Sequence, residues 1–147
     1  MLFFAMMAFS AGIAIAIQAG FNARLGVLLN NTLLASTIAF VISGIFTFLV
    51  VLFTAEHVPT LKEIRYIPGY FWFIGAVFSA FGVTMFYYLI PKMGVGSVLS
   101  FSLTGQLIVG MIASHYGWFD LPVKPISVTR MIGVVSMVVG IVLINFE

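Results

Sequence analysis

The chain has 147 residues, enough for one domain, but carries only six Lys or Arg and four Asp or Glu while 63% of its residues are hydrophobic. A water-soluble surface needs roughly a quarter of its residues charged, so an ordinary soluble domain is excluded and the sequence describes an integral membrane protein. The net charge of +2 is too small and too dispersed for a nucleic-acid footprint. The lack of cysteine rules out disulfides, thiolate metal sites and cysteine nucleophiles.

About 20 apolar residues cross a roughly 30 Å hydrocarbon core. The first candidate begins at residue 2. It lacks a positively charged leader and further spans follow it, so it is expected to stay as a helix rather than be cleaved. Its end depends on the stretch "QAGFNARLG", residues 18–26. Arg24 could mark a loop, but the apolar "VLL" that follows favours one helix over residues 2–28. The midpoint is then residue 15, which puts Gln18 ~4–5 Å, Asn22 ~10 Å and Arg24 ~13–14 Å from the midplane. Gln18 and Asn22 are four apart and share a face, while Arg24 is shallow enough to snorkel to headgroups. The two amides are the deeper and more costly groups, and therefore the stronger candidates for substrate binding.

"NNT" at 30–32 supplies turn and N-cap chemistry ahead of a second span at 33–53. The connection at 56–69 holds Glu56, His57, Lys62, Glu63, Arg65 and two prolines and belongs in water or headgroups. A third span at 70–90 ends in "PKMG", short enough to make a hairpin with a fourth at 95–114. Its aromatic residues Phe71, Trp72, Phe73, Tyr87 and Tyr88 are expected as interfacial anchors or as the wall of a path. "YGWFDLPVKP" (116–125) closes the fourth span, and a fifth runs over 128–145 with Arg130 in its first turn. These runs lack the alternation of a transmembrane barrel. The expected fold is all-α, a single domain of five transmembrane helices.

Two polar features lie within the later spans. Gln106 is within ~3 Å of the midplane of the fourth span, where an unsatisfied amide would cost several kcal/mol. It must meet protein, water or substrate, and Ser102, Gln106 and Gly110 lie on one stripe at intervals of four. Gly75, Ser79 and Gly82 on the third span, and Gly133, Ser136 and Gly140 on the fifth, are the small residues that close helix packing in lipid uses. His115 and Asp120 are two groups where a zinc site wants three or four. No buried nucleophile has a base, and no phosphate-cradling loop is present. The expectation is a protein with no enzymatic role, no metal and no cofactor.

Lys62, Arg65, Lys124 and Arg130 fall on one side of the membrane and Arg24 and Lys92 on the other. This nominally places the N-terminus in the cytoplasm, with a bias slight enough to permit insertion both ways.

Taken together, "QAGFNARLG", "GQLIVGMIASHYGWFD" (105–120) and "RMIGVVSMVVGIVL" (130–143) resemble the YdcZ-type inner-membrane family of the drug/metabolite transporter superfamily, across essentially the whole chain. The resemblance implies half a transporter in the bacterial inner membrane, five helices pairing with an inverted copy as an antiparallel, dual-topology homodimer. Its partners would be lipid and a small-molecule substrate. An odd number of spans makes such a pair two-fold symmetric about an axis in the membrane plane, with the site near the midplane. Small multidrug exporters of that superfamily carry a proton-binding glutamate deep in the first helix. The comparable position here is Gln18, which does not titrate, and no carboxylate falls within any expected span. A uniporter, exchanger or differently coupled carrier of a neutral or zwitterionic substrate fits better than proton antiport. Gln18, Asn22, Gln106 and Ser102 would line its site, with Arg24 drawing anionic groups at the mouth. The rival readings are a small ion channel, whose amides and hydroxyls replace hydration, and a scaffold that transports nothing.

Overall fold

A computed structural model describes residues 1–120 and 122–146. The architecture is all-α: α1 (Leu2–Leu28), α2 (Thr32–Thr54), α3 (Leu61–Tyr66), α4 (Tyr70–Met93), α5 (Val95–Tyr116) and α6 (Val128–Asn145), with a 3-10 turn at Trp118–Asp120. All but α3 are long and apolar enough to cross a membrane. The chain divides into two compact units, Met1–Lys92 and Met93–Glu147.

In the first unit, α1 passes without interruption through Gln18, Asn22 and Arg24. It ends in a Schellman arrangement. Asn30 takes φ 50, while the Asn30 and Asn31 N–H groups donate to the Val27 and Gly26 carbonyls at 3.1 and 3.0 Å, satisfying ends that lipid would leave bare. Asn31 then caps α2, its side chain accepting from Leu34 N at 3.0 Å. So "NNT" ends one helix and starts the next within three residues.

The turn lets α1 and α2 approach closely. Ala19, Ala23 and Gly26 are the buried positions of α1, at intervals of four and three and hence on one stripe. A Cβ on Gly26 would lie 3.4 Å from the Thr32 Cα and 3.5 Å from the Ala35 Cβ. In lipid such contact, rather than a hydrophobic force, holds helices together. α4 joins the pair through side chains: the Thr84 hydroxyl donates to Ser36 Oγ at 2.9 Å, and Ser36 donates onward to the Thr32 carbonyl at 2.9 Å.

The polar connection folds locally. Thr60 and Glu63 form a capping box on α3. The Thr60 N–H and hydroxyl donate to the carboxylate at 2.6 and 2.9 Å, and these bonds hold Glu63 below its ordinary pKa of 4.5. His57 Nε2 lies 3.6 Å from the same carboxylate. In α4 the helix runs past the expected stop at Ile90, through Pro91, to Met93. Pro91 has no N–H to give the Tyr87 carbonyl, but in the last turn that loss does not break the helix. The break comes at Gly94, whose φ of 83 suits a residue without a Cβ. The Lys92 ammonium sits 3.5 Å from the centroid of the Tyr88 ring, a cation–π contact.

In the second unit, α5 and α6 pack together, and the segment between them folds back on the end of α5. Lys124 N–H donates to the Ser114 carbonyl at 2.8 Å, and Ile126 N–H donates to His115 Nδ1 at 3.3 Å. Ser127 caps α6 by accepting from Arg130 N.

Candidate functional site

Three side chains of the first unit form a closed polar cluster. Asn22 Nδ2 donates to Gln18 Oε1 at 3.0 Å and to the Tyr87 hydroxyl oxygen at 2.9 Å, and the Tyr87 hydroxyl donates to Gln18 Oε1 at 3.2 Å. The cause lies in helical spacing. Gln18 and Asn22 are one turn apart on α1, on the side adjoining the buried Ala19–Ala23 stripe, and α4 presents Thr84, Tyr87 and Pro91 at i, i+3 and i+7. Tyr87 is only 2% exposed, so its hydroxyl requires a partner and the two amides provide one.

The cluster borders a cavity of about 440 Å³ lined by Gln18, Ala14, Ile15, Phe40, Ser43 and Tyr87, among others. The three bonds use the Gln18 carbonyl oxygen, both N–H groups of the Asn22 amide and the tyrosine hydroxyl. Among the described residues the Gln18 NH₂ and the Asn22 carbonyl oxygen have no hydrogen-bond partner. The cluster therefore keeps one donor group and one acceptor in reserve, on side chains whose positions are set by the bonds they already make.

Gln106 belongs to the second unit. It is exposed within the chain and has no hydrogen-bond partner among the described residues. It lines a groove of about 550 Å³ with Gly110, Ser114, Lys124, Arg130 and Gly133. Ser102 lies a turn away toward the α5 N-terminus, half-buried, its hydroxyl donating to the Leu99 carbonyl at 2.9 Å. The expected stripe thus runs into the groove through Gln106 and Gly110 and continues to Ser114. Arg24 is exposed, two residues and about 200° of helix away from Asn22, outside the amide–tyrosine cluster.

Tyr87 is the functional candidate that sequence reasoning placed otherwise, as one aromatic anchor or wall residue among five. The Thr84–Tyr87–Pro91 stripe was the available signal, since aromatic residues that serve only as anchors need no hydroxyl neighbour on their own face. The small-residue stripes on the third and fifth spans also differ from α1. A Cβ at Gly75, Gly82, Gly133 or Gly140 would meet nothing within 4 Å among the described residues. The tight helix contact is made instead by alanines 19, 23 and 35 around Gly26.

The family model described as "Putative inner membrane exporter, YdcZ" matches residues 3–143, nearly the whole chain. Comparison with curated proteins and with solved structures gave no match. The match agrees with five membrane-competent helices and with polar side chains held at cavities along them. The family is a transporter class rather than an enzyme class, whose members face a lipid bilayer and a small-molecule substrate. The chain belongs to this YdcZ family of the drug/metabolite transporter type, and is a multi-pass transporter of the inner membrane.

Proposed function

We propose that the two units work as one five-helix domain, half of an alternating-access carrier that pairs with an oppositely inserted copy of itself and moves a neutral or zwitterionic small molecule. The observation that carries this reading is the Gln18–Asn22–Tyr87 cluster. An amide pair locked by a buried tyrosine at the edge of a 440 Å³ cavity offers fixed hydrogen bonds at low reorganisation cost, which is what binding near the midplane needs. Gln18 and Asn22 in the first unit, and Gln106 with Ser102 in the second, contribute polar contacts to substrate. Arg24 serves as a headgroup anchor that also attracts anionic groups to the entrance.

An antiparallel pair accounts for three features together. Five spans put the termini on opposite sides, the Lys and Arg residues fall four to two, a slight bias, and a Cβ added at the glycines of α4 and α6 would meet nothing within 4 Å among the described residues. The amide at position 18 and the lack of acidic residues in the five long helices support a cycle without a titrating acid in the helices.

The test is transport by protein in liposomes, with saturable counterflow as the expected outcome. Unitary conductance steps in a planar bilayer would overturn the carrier in favour of a pore. Replacing Gln18 and Gln106 with leucine is expected to abolish counterflow. Unchanged flux and affinity would remove both from the site. Cysteines at positions 62 and 92 should each react with an impermeant reagent from both sides. Labelling from one side alone would exclude the antiparallel pair.

A further inference from the structure

We infer that the groove between α5 and α6 is a binding site for an oxyanion, a carboxylate or phosphate group, carried by a molecule whose remainder lies along the groove. Its floor is open because Gly110 and Gly133 face it, and neither would meet a neighbour within 4 Å with a Cβ added. Its walls carry Gln106 and Ser114, and its rim carries Lys124 and Arg130.

The rim is built, not incidental. Arg130 Nη1 donates to the Lys124 and Pro125 carbonyls at 3.1 and 3.3 Å, which accounts for two of the five guanidinium donors. Nε–H and the second NH₂ are left, the edge that grips two oxygens of a carboxylate or phosphate. The Lys124 N–H bond to the Ser114 carbonyl holds the backbone of the second cation beside the first. Two like charges thus share a rim without a compensating anion. Among the described residues no carboxylate lines the groove, and the ion contact found is His57 with Glu63. The C-terminal end of α6 is no source either, since Asn145 is fifteen residues from Arg130, roughly 22 Å along the helix.

Gln106 and Ser114 are eight residues apart, roughly 12 Å of helix, so the groove runs from the end of α5 toward the membrane interior. Ligands with an anionic end near the helix terminus and a hydrogen-bonding or apolar body fit that shape. An anionic lipid headgroup and a soluble organic anion share this chemistry. The assignment rests on the groove alone, and a protein that carried nothing could still satisfy it.

The experiment uses the full chain purified in a neutral sugar detergent, with thermal unfolding followed during titration with inorganic phosphate and, separately, with dioctanoyl phosphatidylglycerol. Dioctanoyl phosphatidylcholine and chloride at matched ionic strength are the controls. Saturable stabilisation by at least one of the two anionic probes is expected. Stabilisation by phosphate would identify a site open to soluble anions, and stabilisation by phosphatidylglycerol alone would identify a headgroup site. Arg130→Gln and Lys124→Gln should each weaken binding about tenfold, the size of a lost charge-assisted bond. The doubly substituted Lys62→Gln, Arg65→Gln protein should stay within about twofold. Gly133→Leu keeps both cations and fills the floor, so it should also weaken binding, which keeps the test decisive if Arg130→Gln does not fold. The inference is overturned if neither anion stabilises, if phosphatidylcholine does so equally, if the Lys62 and Arg65 changes weaken binding as much, or if Lys124→Gln and Gly133→Leu both leave affinity intact.

Discussion

The two units solve the problem of polar groups among apolar helices in opposite ways. In Met1–Lys92 two sets of neutral polar side chains are bonded to one another between the long helices: Gln18, Asn22 and Tyr87 in one cluster, Ser36 and Thr84 in another. In the second unit Gln106 has no partner among the described residues, and the groove it lines ends in two cations. Satisfied neutral networks rigidify a helix bundle. Unpaired donors beside fixed cations form a site whose affinity comes from what enters it. Substitution within the bonded clusters of the first unit is therefore expected to lower stability as well as to disturb the proposed substrate contacts, whereas substitution in the groove of the second should change binding with little effect on stability.

The most severe test of that contrast sets Gly26 against Gly133. A Cβ at 26 already touches the Thr32 backbone and Ala35, so the further atoms of a leucine side chain must displace them. Overpacking of this kind costs about 1–3 kcal/mol, seen as a drop in unfolding temperature in detergent. A Cβ at 133 meets nothing within 4 Å among the described residues, so leucine there extends into the open groove and should leave that temperature within a degree or two. Equal losses at both positions would erase the distinction.

Next in size is Tyr87→Phe, which removes the hydroxyl that Asn22 reaches and leaves the amide to find another partner. The expected loss is about 1 kcal/mol, within the range for hydrogen bonds between helices in membranes. Asn22→Ala in the Tyr87→Phe background should cost less than in the wild type. Strict additivity would mean that the bond contributes nothing. The Ser36–Thr84 bond should give a smaller coupling, about 0.6 kcal/mol, in a double-mutant cycle with Ser36→Ala and Thr84→Val.

The smallest effect lies at the membrane surface. Because Glu63 has its pKa lowered in the folded state by the Thr60 bonds, the capping box stabilises α3 above the ordinary carboxylate pKa of 4.5. That contribution is lost as pH falls through the lower, folded value. Amide exchange at Glu63 and Ile64, corrected for intrinsic rates, should accelerate on acidification, and Glu63→Gln, which cannot titrate, should remove the pH dependence. Acid-insensitive exchange in the wild type would show that the box does not hold the helix.

Much of the fold was legible because lipid imposes a simple length rule. Apolar runs of about 20 residues, turn residues at "NNT" and the charged connection before Tyr70 suffice to order the helices. The continuity of α1 through Arg24 followed from the apolar residues after it, and the depth that a continuous helix gives Arg24 lets its side chain reach the headgroups. The structure carries α4 past the expected end at Ile90 to Met93, because Pro91 lies in a last turn that tolerates its missing N–H. Half of the candidate site was equally readable: two amides four residues apart on a membrane helix must share a face.

The sequence by itself determined that this chain lives in lipid, that its helices carry almost no charge, and that Gln18, Asn22 and Gln106 are the groups lipid tolerates least. Periodicity and hydration cost act along one helix at a time, and one helix is enough to see them. Only the tertiary structure decided that Tyr87 closes the amide pair, that alanines around Gly26 rather than the glycines of α4 and α6 make the tight contact, and that Lys124 and Arg130 line the same groove as Gln106. Each of these depends on which faces of separate helices meet, and that is settled by packing among residues far apart in the chain.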